Sequence, residues 1–177
     1  QPLNQNAVRI RFTKEKNIPE QELIYTEEVE SPVYKIKEDS KSLKLSLDKI
    51  IVVYDKLRHT LTFTDSKGQI ILQEKEGGRV LQNSTVQGEP VFEVEQHFLS
   101  PVDEYLFGTG QFQDGYLNVR GLTRRLTQVN TQIAVPFVLS NKGYGILWNN
   151  YGLTDFNPAD ESVKLLPAET GVQAVTV

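Results

Sequence analysis

The sequence predicts an all-β fold in which antiparallel strands form two packed sheets, and three observations support this. Apolar and polar residues alternate with a period of two along most of the 177 residues, as in Leu43–Leu47 and Leu61–Phe63. Turn-forming segments that contain glycine separate these runs at short intervals. No window combines helical spacing with a cap at each end. Such alternation turns one face of a strand toward a core and the other toward water, which is typical of antiparallel sheets.

The alternating segments predict the individual strands in chain order. They are Val8–Phe12, Leu43–Leu47, Leu61–Phe63, Ile70–Leu72, Phe92–Phe98, Val135–Leu139 and Tyr144–Trp148. Two segments that end in glycine, Asp65–Gly68 and Ser140–Gly143, are expected to close hairpins, because glycine supplies a positive φ without strain. Two further segments, Glu76–Arg79 and Gln87–Pro90, are expected to break the strands that they interrupt. Several short strands joined by regular turns favour a β-sandwich.

Length and composition favour one domain over residues 1–177. With 38% hydrophobic and 24% charged residues, the chain has the composition of an ordinary globular protein that buries a real core. Near the C-terminus, Ser162–Leu166 and Thr170–Val177 are expected to form strands, the second with a partner beyond the end of the chain. A chain that begins at Gln1 and contains no Met is expected to have been processed or excised from a larger protein. The same start suits a cleaved export signal and predicts a periplasmic or secreted location.

The charge and the missing cysteines exclude several kinds of function. The formal charge is only -4, and no stretch concentrates Lys and Arg with aromatic residues, so we expect no nucleic-acid partner. No apolar run is long enough to span a bilayer, so we expect no membrane partner. The sequence contains no Cys, which excludes disulfides, thiolate catalysis and Cys-based zinc sites. We predict no cofactor.

Candidate catalytic groups are few. Asp103-Glu104 and Asp160-Glu161 are adjacent acidic pairs, but neighbouring side chains on a strand point to opposite faces, so both pairs are predicted to be solvated. His59 is expected in a hairpin turn, and His97 on the same strand face as Glu95. One His and one carboxylate are too few for a metal site, so structural roles are predicted for both histidines.

The stretch from Asp103 to Asn150 points to carbohydrate. Its side chains include eight amides: Gln111, Gln113, Asn118, Gln128, Asn130, Gln132, Asn149 and Asn150. Amides offer the paired donors and acceptors that sugar hydroxyls need, and the aromatic residues among them offer apolar platforms. Tyr144 and Trp148 share one strand face and are expected in the core. Gly108-Thr109-Gly110 does not continue as a dinucleotide-binding motif, because Gln113 stands where a third glycine is required.

Three motifs in this stretch resemble those of glycoside hydrolase family 31. Asp103–Gln111 resembles the family's Y-G-x-G-E/Q signature, and Leu126–Gln132 followed by Val135–Phe137 resembles its N-T…P-F element. Ser140–Asn150 resembles its S-x-x-G-Y-G-x-L-W-x-N hairpin. Phe107 replaces the usual Tyr, and Gln111 the commoner Glu. The Gln form is more similar to bacterial α-xylosidase-type members than to the maltase type.

The resemblance implies a function that composition and spacing do not show. Family 31 enzymes are mostly retaining, exo-acting α-glycosidases of α-glucosides or α-xylosides. In them a sandwich of galactose mutarotase-like fold precedes a (β/α)₈ barrel that carries both catalytic aspartates. The resemblance therefore implies that this chain has no catalytic residue and is inactive alone. Its implied partners are its own C-terminal barrel and an α-linked oligosaccharide.

The resemblance also implies a candidate site. The loop between Leu126 and Ala134 corresponds to the sandwich loop that reaches over the barrel's mouth. Gln128 and Asn130 are its expected contributors to the rim of the substrate pocket. The competing interpretation is that these amides only tie down their own loop.

Two other functional classes stay open at this stage. A free-standing carbohydrate-binding module would expose a strip of aromatic side chains. A mutarotase-like epimerase would place His97 in a polar pocket with a carboxylate. A domain that packs on a barrel would instead expose an apolar patch.

Overall fold

The computed structural model describes residues 1–14, 16, 24 and 31–156, together with the backbone of residues 174–176. All regular secondary structure within these residues is β-strand, and every strand pair with an assigned register is antiparallel. The prediction of an antiparallel all-β fold is therefore confirmed. In the described part of the chain no helix is long and apolar enough to cross a membrane.

The chain divides into two compact units, Gln1–Val94 and Glu95–Val177. Each unit is described separately below. The single domain expected over residues 1–177 stays a prediction.

The first unit is built on one meandering sheet. Its strands are β1 (Pro2–Asn4), β2 (Ala7–Val8), β3 (Lys35–Glu38), β4 (Ser42–Ser46), β5 (Ile50–Asp55), β6 (Thr60–Asp65), β7 (Ile70–Val86) and the first part of β8 (Glu89–Leu99). Strands β3 to β8 lie side by side in chain order, and β1 pairs with β2 in a separate hairpin. Val52 pairs with Phe63, and Phe63 with Leu72. These three side chains are buried, so the period-two pattern of the sequence places its apolar residues in a core.

The turn between β6 and β7 forms as predicted. Asp65 Oδ1 accepts hydrogen bonds from the backbone N–H groups of Lys67 and Gln69, both at 2.8 Å. Gly68 closes the turn with φ +85°. The predicted turn between β7 and β8 also forms, with Gln87 and Gly88 both at positive φ.

The break predicted at Glu76–Arg79 is wrong, because β7 continues through it. Gly77 has φ +70°, the conformation that glycine adopts in one type of β-bulge, and the strand continues past it. A part-buried ion pair spans Gly77: Arg79 Nη2 lies 2.5 Å from both oxygens of Glu74. Glu74 Oε2 also accepts the backbone N–H of Leu61 at 2.8 Å. The carboxylate thereby ties β7 to the start of β6.

The second unit contains two small sheets and one further strand pair. Its strands are β9 (Leu106–Gln111), β10 (Arg124–Leu126), β11 (Ile133–Ser140), β12 (Gly145–Leu147), β13 (Thr154–Phe156) and β14 (Ala174–Thr176), together with the end of β8. The sheet orders are β12-β11-β9 and β10-β13, and β14 pairs with the end of β8 as the last strand of the seven-stranded sheet. Leu106, Val119, Val138 and Phe156 are buried to within 4% exposure and form the core.

Two expectations concern the C-terminal residues. A strand is present inside Thr170–Val177, but its partner is β8, with Val175 opposite Phe98. The expected partner beyond the end of the chain is therefore wrong. The strand expected at Ser162–Leu166 lies outside the described residues.

The pairing of β9 with β11 contains an irregularity with strained backbone. Ala134 pairs with Gly110 and Val138 with Gly108, so three residues of β11 face only Thr109. Gly108, Thr109 and Gly110 all have positive φ, at +114°, +65° and +102°. A Cβ on Gly110 would overlap the carbonyl oxygen of Ile133, so this position requires glycine for space as well as conformation.

We expect Gly110→Ala to lower the free energy of unfolding by about 3 kcal/mol or more, because the new Cβ has no room beside β11. Gly115→Ala is the matched control: its φ is +75°, and nothing lies within 4 Å of an added Cβ. That variant is expected to lose about 1 kcal/mol, which is the conformational cost alone. Urea unfolding of both variants measures the difference, and equal losses would contradict the close approach.

Candidate functional site

The sheet β12-β11-β9 has two ends of opposite character. At one end β9 begins, β11 ends and β12 begins; at the other end β9 ends, β11 begins and β12 ends. We call the first the closed end; the strand residues there are Leu106, Ser140 and Gly145. We call the second the open end; the strand residues there are Gln111, Ile133 and Leu147.

A buried carboxylate organises the closed end. Glu104 is 1% exposed. Its Oε1 accepts hydrogen bonds from Ser140 Oγ at 2.5 Å and Tyr144 OH at 2.6 Å, and its Oε2 accepts one from Ser100 Oγ at 2.6 Å. Three hydroxyl donors thus compensate the loss of solvent around the charge. The prediction that Glu104 is solvated is wrong.

The neighbouring acid behaves as the sequence predicts. Asp103 is exposed and pairs with Lys142 Nζ at 2.5 Å. Asn141 reinforces this connection, because its Oδ1 accepts the backbone N–H of Tyr105 at 2.8 Å and its Nδ2 donates to the carbonyl of Asp103 at 3.1 Å. The segment before β9 is therefore clamped to the turn after β11. The pair Asp160-Glu161 lies outside the described residues.

A buried arginine supports the strained segment of β9. Arg124 is 6% exposed. Its Nη1 donates to Thr109 Oγ1 at 2.7 Å, and its guanidinium lies 4.5 Å from the ring centroid of Phe112. Its Nε donates to Asp114 Oδ2 at 3.0 Å, and Nη2 also pairs with that oxygen. The pKa of Asp114 is lowered, first by the backbone N–H of Tyr116 and then by Arg124.

The rim loop, residues 127–133 between Leu126 and Ala134, is a tight hairpin at the open end. Val129 and Gln132 form an isolated antiparallel bridge, with Asn130 and Thr131 at the tip. Gln132 Nε2 donates to the carbonyl of Thr127 at 3.0 Å. The loop is thus held by its own hydrogen bonds.

The structure gives the two predicted rim residues different roles. Gln128 is exposed, but its Oε1 accepts the backbone N–H of Ala134 at 2.9 Å, so it ties down its own loop. Asn130 is exposed at the tip, and its side chain makes no hydrogen bond within the described residues. The amide donor and acceptor of Asn130 are therefore not used within the described residues.

The other amides between Asp103 and Asn150 also differ in whether their side chains make hydrogen bonds. Asn118 Oδ1 accepts the backbone N–H groups of Leu106 and Arg120, both at 3.1 Å. Asn150 Oδ1 accepts the backbone N–H of Gly152 at 2.8 Å. The exposed amides whose side chains make no hydrogen bond in the described part of the chain are Gln111, Gln113, Asn130 and Asn149. Gln111 is the last residue of β9, and Asn149 follows the end of β12. Both strands end at the open end.

The histidines have structural contacts. His59 adopts φ 56° in the turn after β5, and its Nδ1 hydrogen-bonds Tyr54 OH at 2.8 Å. His97 is buried and its Nε2 lies 2.9 Å from Glu95 Oε2. Among the described residues, no group of three or more His, Cys, Asp or Glu side chains is placed to hold a metal ion.

The outer face of the sheet is apolar. Leu139 pairs with Phe107 on one side, and Phe137 pairs with Leu147 on the other, so all four side chains share a face. Leu139 is 48% and Leu147 42% exposed, and the two rings are half-buried. Gly145 leaves room for the Phe137 ring, because a Cβ there would lie 2.9 Å from Phe137 Cζ. The opposite face carries buried Val138 and Leu106. Tyr144 and Trp148, which were expected in the core, are half-buried.

Comparison with known proteins identifies the family. Residues 1–157 match the family described as Glycosyl hydrolase 31 N-terminal galactose mutarotase-like domain. An α-xylosidase of Saccharolobus solfataricus is 36% identical over 50% of this chain and 14% of its own length. A family 31 glucosidase of Pseudescherichia vulneris is 27% identical over 85% of this chain and 32% of its own length. The match to the family covers most of the chain, which therefore belongs to the N-terminal domain family of glycoside hydrolase family 31.

Solved structures agree with this assignment. A family 31 α-xylosidase from Xanthomonas citri superposes with a TM-score of 0.66 at 34% identity, over 70% of this chain and 14% of that one. A family 31 α-xylosidase from a soil metagenome, complexed with xylose, superposes with a TM-score of 0.70 at 25% identity, over 100% of this chain and 27% of that one. The galactose mutarotase-like fold is confirmed. The chain thus spans about a third or less of each of these four relatives.

Tyr144 gives the closed end a measurable pH dependence. Burial and then the hydrogen bond to Glu104 raise the pKa of Tyr144 above its usual value. A pKa that is raised on folding contributes stability below the unfolded pKa and loses it as the pH rises further. We expect wild type to lose up to about 1.4 kcal/mol per pH unit above about pH 10 from this group.

The variant Tyr144→Phe removes this ionisation and one hydrogen bond to a carboxylate. It is expected to be less stable than wild type by about 2 kcal/mol at pH 8, with a difference that shrinks above pH 10. Exposed Tyr105, whose side chain makes no hydrogen bond within the described residues, supplies the control Tyr105→Phe. Chemical unfolding at pH 8 to 11 measures both, and a constant difference across that range would contradict the assignment.

Proposed function

We propose that this chain is the non-catalytic N-terminal domain of a retaining family 31 α-glycosidase, of the α-xylosidase or α-glucosidase type. It packs on the catalytic (β/α)₈ barrel and contributes the rim loop to the substrate pocket. The observation that carries the proposal is the apolar outer face of sheet β12-β11-β9, since an exposed apolar patch of this kind marks a surface that a partner covers.

The acidic residues support a non-catalytic role. A retaining glycosidase needs two carboxyl groups about 5 Å apart across the scissile bond. Here Glu104 is buried and accepts three hydrogen bonds, and Asp103 is paired with Lys142. Glu74, also buried, is paired with Arg79. These acids are engaged in holding the fold, which supports placing the catalytic carboxylates in another domain.

The rim role rests on the rim loop. Its tip presents Asn130 on a hairpin that is held by Gln128 and Gln132. A rigid hairpin with an uncommitted amide is suited to hydrogen-bonding an α-linked oligosaccharide. We therefore assign Asn130 as the sugar contact and Gln128 as the residue that positions the loop. A periplasmic or secreted location also stays a proposal.

The alternative is a free-standing carbohydrate-binding module. Such a module would present an aromatic strip on a sheet face. The exposed positions of the outer face are instead Leu139 and Leu147, with the rings of Phe107 and Phe137 half-buried. The epimerase interpretation is disfavoured because His97 is buried and therefore not open to a sugar, although it lies beside the carboxylate of Glu95.

The activity test compares the isolated chain with the intact protein that carries it, on aryl α-xyloside and aryl α-glucoside. Only the intact protein is expected to release the chromophore, and the preferred sugar distinguishes the two types. Turnover by the isolated chain would contradict the proposal.

A charge on the outer face tests the packing. We expect Leu139→Glu to change the stability of the isolated chain by less than about 0.5 kcal/mol, as a surface substitution does. In the intact protein it is expected to cost about 2 kcal/mol or more, because the charge is buried without a partner. Leu57→Glu, at a turn residue that is 87% exposed, is the control and should change neither. Thermal unfolding measures all four proteins, and equal effects of Leu139→Glu in both contexts would contradict the packing.

A further inference from the structure

Gln111 is a second uncommitted amide beside the rim loop. It is the last residue of β9 and pairs with Ile133, which directly follows the bridge residue Gln132. The ladder therefore places Gln111 at the base of the hairpin whose tip carries Asn130. Both amides are exposed and make no side-chain hydrogen bond within the described residues.

The backbone that leads to Gln111 is strained. The three residues before it, Gly108, Thr109 and Gly110, all adopt positive φ. For Thr109 this is costly, since a β-branched residue is rarely left-handed, and its side chain is completely buried. Such strain persists only where the surrounding structure enforces it, and it concentrates at functional sites.

Arg124 holds the positive-φ backbone of Gly108 and Thr109 in place through hydrogen bonds. It donates to Thr109 Oγ1 at 2.7 Å and to the carbonyl of Gly108 at 3.3 Å. It also lies 4.5 Å from the ring centroid of Phe112. Gln111 stands between Thr109 and Phe112, so the buried guanidinium holds the chain on both sides of it. A side chain presented on so fixed a backbone loses less conformational freedom when it binds a ligand.

We propose that Gln111 is a further substrate-contacting residue of the rim, which hydrogen-bonds a hydroxyl of the α-linked sugar. This inference rests on the proposed function. The primary amide offers a donor and an acceptor, which match the hydroxyls of one sugar unit. Asn130 contacts the sugar from the loop tip, and Gln111 from the adjoining strand end. Arg124 acts only as a positioning residue.

The test uses the intact protein with Gln111→Leu, which keeps the approximate volume and removes both hydrogen-bonding groups. The substrates are an aryl α-glycoside that wild type cleaves and an α-linked disaccharide of the same sugar. We expect KM to rise about five- to tenfold for at least one of them with kcat nearly unchanged. This is the result of losing a hydrogen bond that is equally strong in the bound substrate and in the transition state. Gln111→Asn, which keeps the amide on a shorter side chain, is expected to fall between wild type and Gln111→Leu.

Gln113→Leu is the matched control. Gln113 is also an exposed amide without a side-chain hydrogen bond in the described residues, but it lies two residues beyond the ladder. It is expected to leave KM and the unfolding temperature unchanged. Equal effects of Gln111→Leu and Gln113→Leu would overturn the assignment, as would an unchanged KM for Gln111→Leu on both substrates. If the wild-type intact protein cleaves neither α-xylosides nor α-glucosides, the proposed function itself has failed.

Discussion

The buried carboxylate of Glu104 is the contact on which the second unit depends. Its three hydroxyl donors come from the segment before β9, from the last residue of β11 and from the residue before β12. Each donor compensates part of the cost of burying the charge, and together they fix the register of three strands at one end of the sheet. Register matters here because a strand that slips by one residue exchanges its buried and its outer face.

The rest of the sheet follows from that fixed end. At the closed end Glu104 is satisfied by its three hydroxyl donors, while the open end presents Gln111, Asn130 and Asn149, whose side chains no described residue engages. The outer face between the two ends is apolar. These features suit the proposed domain. The closed end holds the strands together, the apolar face is available to a larger partner, and the amides of the open end are available to a sugar. In the relatives this region is a minor part of a longer family 31 chain, so a larger partner on the same chain is available in those proteins.

Local features were predictable from the sequence, and long-range ones were not. The turn at Asp65–Gly68 forms as expected because its aspartate and glycine act within four residues. Glu104 was misjudged because two of its donors lie 36 and 40 residues away. Gly77 was expected to end a strand, but β7 continues through it. The amides predicted the chemistry of the open end; only the folded loop shows that Gln128 is engaged and Asn130 is not.

The most direct test of this account is hydrogen exchange in the intact protein, with and without saturating xylose or glucose. Sugar bound at the open end should slow exchange in residues 126–134 and leave residues 100–106 and 140–145, at the closed end, unchanged. The outer-face strand β11 should exchange more slowly in the intact protein than in the isolated chain, whether or not sugar is present. Uniform exchange at both ends, together with equal rates for β11 in the two proteins, would contradict the account.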